Sequence, residues 1–297
     1  MRFHGVLAPV VTPFRDDLAA DALRLIRQCR WLLSEGAGLA VFGTNSEGNS
    51  LSVGEKIELL DRLVDAGIDP ARMMPGTGCC ALTDTVRLTR HAVSLGCGGV
   101  LMLPPFYYKA VDDEGLFRSY AEVVERVGSD ALRVYLYHIP PISGVGLSVD
   151  LVGRLVQAYP ECIAGIKDSS GDWNNTRALL DCDWEDFRVF AGSEAFLLRT
   201  LRAGGAGVIS ATANVHASAI YRLYREWQSP KAESLQQDLN RLREVLQRYP
   251  MIAALKAVIA GFGSDPEWER LRPPLLPLSK EQKATLLAEL HGLKFKL

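Results

Sequence analysis

An α/β fold, a (β/α)8 TIM barrel with a C-terminal helical extension, is predicted by three features of the 297-residue sequence. Eight short apolar runs start 20 to 34 residues apart, the length of a strand plus the returning helix that parallel strands require. Amphipathic stretches fill the intervals, and after Pro230 only helical periodicity continues. With no long linker or low-complexity segment, a closed barrel is favoured over an open doubly wound sheet. The division expected is a barrel over residues 1–228, holding the active site, and a helical extension over 229–297.

The apolar runs are residues 6–11, 39–42, 73–76, 99–103, 133–137, 163–167, 187–191 and 207–210. After the first, residues 21–35 set Ala22, Leu25, Ile26, Cys29, Leu32 and Leu33 on one helical face, with Gly36 where a left-handed cap is expected. Ser52-Val53-Gly54-Glu55 has capping-box spacing and opens a helix carrying Ile57, Leu60, Leu63 and Val64, which Gly67 and Pro70 end. Residues 83–95, 114–127, 148–159, 173–180, 194–203 and 217–227 read as the remaining returning helices. The extension reads as helices over 232–249, 251–261 and 280–290, broken by Pro250 and by Pro273-Pro274.

Hydrophobic residues make up 48% of the chain, ample for a large core. Thirty-three Lys plus Arg against 35 Asp plus Glu leave a net charge of -2, so no excess of either sign points to nucleic acid or to an anionic membrane. A small-molecule partner is expected instead. Cys29, Cys79, Cys80, Cys97, Cys162 and Cys182 form no C-x-x-C pair and read as reduced thiols. The apolar run over residues 5–11 is too short to span a membrane and lacks the cleavage site of a signal peptide, so a cytoplasmic address is expected. The five histidines show neither H-x-x-x-H nor H-x-H spacing, and metal-free chemistry is expected.

Barrels place chemistry at the carboxyl ends of their strands. The second run enters Gly43-Thr44-Asn45-Ser46-Glu47-Gly48, whose amides and hydroxyls could hold a carboxylate or phosphate, or simply cap a turn. The sixth run ends in Gly165-Ile166-Lys167-Asp168, with an amine at a strand end in a chain of nine lysines. Desolvation disfavours an ammonium and raises the neutral fraction able to attack a ketone; the alternative is a structural ion pair with Asp168 or Glu47. The fifth run ends in Tyr135-Leu136-Tyr137-His138-Ile139-Pro140, and strand alternation aims Tyr137 at the same mouth, as a proton relay or as core filling. Tyr107-Tyr108 belong to an aromatic loop suited to lining the site, to covering it or to packing against another subunit. Gly192-Ser193-Glu194 and the stretch from Ser210 to Asn214 read as binders of a substrate's polar end or as helix caps.

In this order, Val11-Thr12-Pro13-Phe14, the Gly43–Gly48 turn, Tyr107-Tyr108, Tyr137-His138-Ile139-Pro140 and Gly165-Ile166-Lys167-Asp168 resemble the dihydrodipicolinate synthase / N-acetylneuraminate lyase family. Gly204-Gly205-Ala206-Gly207-Val208-Ile209-Ser210 and the helical tail extend the likeness over nearly the whole chain. The resemblance implies a class I aldolase or lyase in which Lys167 forms a Schiff base with pyruvate or another 2-oxo acid, with no cofactor and no metal. It implies that Thr44 and Asn45 hold the carboxylate, that Tyr137 moves protons with Thr44, and that Tyr108 enters from a neighbouring subunit of a homodimer or homotetramer. Gly192, Ile209 and Ile142 are the further substrate-binding positions it suggests. Two departures bear on the second substrate, an aldehyde. Ile142 stands where the synthases carry an arginine, and Glu194 is a single acid where neuraminate lyases carry an Asp-Glu pair. Asn45 is similar to 4-hydroxy-2-oxoglutarate aldolase relatives, and His138 replaces the usual asparagine. The alternatives are 4-hydroxy-tetrahydrodipicolinate synthase itself and a non-catalytic 2-oxo-acid-binding or regulatory protein.

Overall fold

Seven of the eight apolar runs form strands in the structure, a computed structural model that describes residues 2–297. They are β1 (Gly5–Ala8), β2 (Gly38–Leu39), β3 (Val100–Met102), β4 (Val134–His138), β5 (Ile163–Asp168), β6 (Arg188–Ala191) and β7 (Gly207–Ile209). All neighbours pair in parallel, in the order β2-β1-β7-β6-β5-β4-β3. The segment over 73–76 is no regular strand: single parallel bridges join Met73 to Leu39 on one side and Gly76 to Leu101 on the other. Pro75 has no N–H to give a ladder. The bonds that remain are good ones, Met74 N to Leu39 O and Gly76 N to Val41 O at 2.7 Å, and Leu101 N to Pro75 O at 2.9 Å. The segment therefore lies between the two edge strands of a curled sheet.

Alternation along each strand separates two sets of side chains. Leu7, Ala40, Met74, Leu101, Tyr135, Tyr137, Ala164, Phe190 and Ile209 pack with one another inside the curl. Their sequence neighbours, such as Val6, Val100, Leu136, Ile166, Val189 and Val208, face outward against the helices. Each fully buried Leu or Ile contributes about 1.5–3 kcal/mol.

Most helices lie within a residue or two of their expected ends. Ala22–Ser34 is capped by Asp21, and Gly36 beyond it has φ 87°. Val53–Asp65 opens on a complete Ser52/Glu55 capping box. Two expectations need correction. The helix over 194–203 is a 3-10 turn, Glu194–Phe196, followed by Leu197–Arg202. The helix expected over 217–227 begins earlier, at Ala213, and bends where His216 leaves helical geometry.

Helices Ala232–Leu246, Met251–Phe262 and Lys280–Gly292 build a second core that takes in Val11, Ala211 and Val215 from the preceding part of the chain. That contact places the tail beside the carboxyl ends of β1 and β7. Among the described residues no single helix is long and apolar enough to cross a membrane.

Candidate active site

Tyr137 and Lys167 are direct neighbours across β4 and β5. Strict alternation would give Ile163 and Lys167 the same face, yet the pairing shifts by one residue between Val134–Ile163 and Tyr135–Gly165. This bulge lets Ile163 pack outward while Ala164 faces the interior and Lys167 meets Tyr137. Gly165 fits the bulge because a Cβ there would stand 2.3 Å from the Arg188 carbonyl and 2.9 Å from the Tyr135 ring.

Lys167 is 2% exposed. Its Nζ donates to the Tyr137 hydroxyl at 3.1 Å and lies 4.2 Å from the centre of that ring. The same hydroxyl is 3.3 Å from Thr44 Oγ1, so an amine, a phenol and an alcohol form one hydrogen-bonded chain at the carboxyl ends of β2, β4 and β5. Lys167 makes no ion pair among the described residues. Asp168 points to the outer face, where its carboxylate accepts from Thr176 Oγ1 at 2.6 Å and from Ser170 N at 2.9 Å. Glu47 is engaged by Lys256 and by Arg272 N at 3.0 Å. The ion-pair alternative for Lys167 is thereby removed.

Thr44 begins a 3-10 turn, Thr44–Ser46, framed by Phe42 at φ 63° and Glu47 at φ 53°. Left-handed geometry at a non-glycine residue costs of order 1–3 kcal/mol and is held only by firm surroundings. Here the Phe42 carbonyl is wedged between glycines, since a Cβ would lie 2.0 Å from it at Gly48 and 2.4 Å at Gly76. Thr12 Oγ1 donates to Ser46 O at 2.7 Å from below. The amides of Thr44 and Asn45 donate to no acceptor among the described residues, and Ser46 Oγ is buried without a partner. The loop thus presents uncommitted polar groups beside Tyr137.

The clamp on this loop comes from the tail, and sequence reasoning missed it. Lys256, on the helix Met251–Phe262, is fully buried, bonds Glu47 Oε1, donates to Arg270 O at 2.7 Å and lies 4.5 Å from the Phe14 ring centre. Burial pushes its ammonium below the usual lysine range while the Glu47 carboxylate pulls the other way. Arg272 adds bonds to Ser50 O at 2.6 Å, to Leu18 O at 2.9 Å and to Glu55. No sequence signal joins Lys256 to Glu47; its one mark is a lysine inside an otherwise apolar helix.

Of the other candidate positions, Ile209 belongs to the interior cluster with Tyr137. Gly192 follows β6 and donates to Asp168 O at 2.7 Å; a Cβ there would stand 2.1 Å from Ser169 Oγ. Ile142 lies on the short helix Pro140–Ser143 and is exposed. Tyr108 is 73% exposed and packs edge-on against Tyr107 at 5.4 Å, so within one chain it joins neither Tyr137 nor Thr44.

His138 faces away from the interior, its Nδ1 accepting from Leu147 N at 2.9 Å, and burial lowers its pKa. Glu194 is buried and takes bonds from Ser210 Oγ and, at 2.8 Å, from Arg243. Asn214 ties the end of β1, accepting from Val11 N at 2.9 Å and donating to Pro9 O at 3.0 Å. Glu194 thus ties the stretch after β6 to the tail through Arg243, while Asn214 ties the stretch after β7 to the end of β1.

The model of the dihydrodipicolinate synthetase family matches residues 2–292. An uncharacterized DapA-like lyase of Chloroflexus aurantiacus is 35% identical over 290 residues, covering 96% of this chain and 95% of its own. The crystal structure of dihydrodipicolinate synthase from Agrobacterium tumefaciens superimposes with a TM-score of 0.91 at 31% identity, over 98% of this chain and 99% of that one. YagE of Escherichia coli, a prophage protein of the dihydrodipicolinic acid synthase family crystallised with pyruvate, gives 0.90 at 28% identity over 99% of both chains.

Proposed function

The chain belongs to the dihydrodipicolinate synthetase family, and from that premise we propose that it is a class I aldolase or lyase acting through a Schiff base on Lys167. The substrate is pyruvate or a related 2-oxo acid. The observation that carries this reading is the buried Lys167 amine, free of any carboxylate and bonded to Tyr137, which in turn reaches Thr44. The pyruvate bound to the Escherichia coli relative supports the choice of ketone.

Neutral Nζ attacks the ketone carbon, the carbonyl oxygen takes a proton, and water leaves as the imine forms. Tyr137 is positioned to deliver that proton and Thr44 to exchange it onward. The protonated imine draws electrons from the adjacent carbon, so a carbon–carbon bond breaks to an enamine, or forms from one, over a lower barrier. Thr44 and Asn45, with their uncommitted amides, hold the carboxylate. Gly192 and Ile209 shape the pocket, and exposed Ile142 stands at its rim. The reaction uses no cofactor and no metal.

The finer architectural reading is a closed (β/α)8 barrel over 1–228 with segment 73–76 as its eighth stave, supported by bridges on both sides of that segment, and a helical extension over 229–297. Assembly as a homodimer or homotetramer would bring Tyr108 to a neighbour's site. The address proposed is cytoplasmic, with no nucleic-acid or membrane partner.

The synthase reading is favoured by the Agrobacterium tumefaciens likeness and opposed by Ile142, which offers no charge to a second carboxylate. Purified enzyme is assayed with pyruvate and aspartate semialdehyde, then for cleavage of a panel of 4-hydroxy-2-oxo acids. The expected result is turnover of at least one panel member near ordinary enzyme rates, roughly 1 s⁻¹ or faster, with no activity in Lys167→Ala. Turnover of the semialdehyde pair alone selects the synthase. Adduct formation with no turnover anywhere selects a binding or regulatory protein.

A further inference from the structure

A cleft of about 640 Å3 opens at the amino-terminal ends of β1 and β2, at the far end of the strands from Lys167. That size suits a small-molecule ligand. Four arginines line it and no aspartate or glutamate does. Arg2 is spent on Asp186 at 2.9 Å and on the Pro160 carbonyl at 2.8 Å. Arg72, Arg133 and Arg225 make no ion pair among the described residues. Arg72 reaches only the Ala37 carbonyl at 3.5 Å, and Arg133 uses one nitrogen on the carbonyls of Asp130 and Leu132 at 2.7 and 2.8 Å.

In a chain with 35 acidic residues and a net charge of -2, most arginines have found carboxylates, so three arginines without an ion pair along one cleft offer an entering anion charge that no neighbouring carboxylate competes for. The same cleft is lined by Tyr221 and Tyr224, on the helix that also carries Arg225, their rings 6.2 Å apart and 27° from parallel. Gly36 admits the Tyr221 ring, which a Cβ there would meet at 2.5 Å. The Tyr224 hydroxyl is fixed by His4 Nδ1 at 3.1 Å.

We propose that this cleft binds a diphosphate group, its oxygens taken by Arg72, Arg133 and Arg225, either as free pyrophosphate or as the tail of a nucleotide whose ring lies against Tyr221. Forked guanidiniums suit phosphate oxygens better than a point charge does. The site stands apart from the aldolase reading and does not rest on it.

Isothermal titration of the full-length protein with pyrophosphate and with ADP tests it. One saturable site per chain is expected, weakening as salt rises. Arg72→Gln and Arg225→Gln, both at exposed positions, should each weaken binding about tenfold or more, with unchanged thermal melting as the check on folding. Lys167→Ala should leave binding intact. Tyr221→Ala weakening ADP alone identifies a nucleotide; no change for either probe identifies free pyrophosphate. The proposal is overturned if neither probe binds at millimolar concentration, if both arginine variants bind as the parent does, or if Lys167→Ala abolishes binding.

Discussion

Tyr137 touches both other polar groups of the mouth, Lys167 Nζ at 3.1 Å and Thr44 Oγ1 at 3.3 Å, and its ring is part of the interior packing. Tyr137→Phe keeps the ring and removes the hydroxyl. The expected outcome is a fall in kcat of about 10²–10⁴-fold, the usual contribution of a positioned acid or base, with a melting temperature close to that of the parent. A kcat within about threefold of the parent would take Tyr137 off the proton path. On the opposite face of β4, His138 carries a different consequence. Burial holds its folded pKa below the ordinary 6.5, so the unfolded chain binds the proton first and stability falls as pH drops below that value. His216 is shifted in the same direction by burial. The urea midpoint is therefore expected to drop on acidification below about pH 6.5, and to drop less in His138→Gln. Equal slopes in parent and variant would mean that His138 contributes nothing to the acid response.

At the scale of elements, the loop Thr44–Ser46 takes its shape from a helix far away in sequence. Lys256 on Met251–Phe262 neutralises Glu47, the left-handed residue that closes the loop. Lys256→Met strands a buried carboxylate, and the expected cost is about 3–5 kcal/mol in urea unfolding. Adding Glu47→Gln should recover part of it; a single variant as stable as the parent would contradict the clamp. This coupling was illegible because nothing in a linear reading pairs Glu47 with Lys256, and Glu47 looked as available to Lys167 as to any other amine. Strand and helix periods, by contrast, were plain, because each half-buried element carries its own alternation. The third run, over 73–76, was apolar enough to read as a strand, but Pro75 leaves it only isolated bridges. The bulge in β5 was hidden for a related reason: alternation alone gives Ile163 and Lys167 one face, and only pairing with β4 separates them.

For the whole molecule, the decisive geometry is that strands distant in sequence bring their carboxyl ends together, while the tail braces that rim through Arg272, Lys256 and Arg243. Tyr108 follows the carboxyl end of β3, 73% exposed and packed edge-on against Tyr107. If a neighbour's Tyr108 completes each site, mixing Lys167→Ala with Tyr108→Phe protomers and allowing exchange should restore activity that neither has alone, whereas no restoration in exchanged assemblies would confine the site to one chain. The most direct measurement on the intact protein is borohydride reduction in the presence of saturating pyruvate, followed by mass spectrometry of the digested chain. The expected result is one adduct, equal to pyruvic acid less one oxygen, on the peptide bearing Lys167 and absent from Lys167→Ala. No adduct in the parent, or an adduct that survives in Lys167→Ala, would contradict the Schiff base on which the proposed chemistry stands.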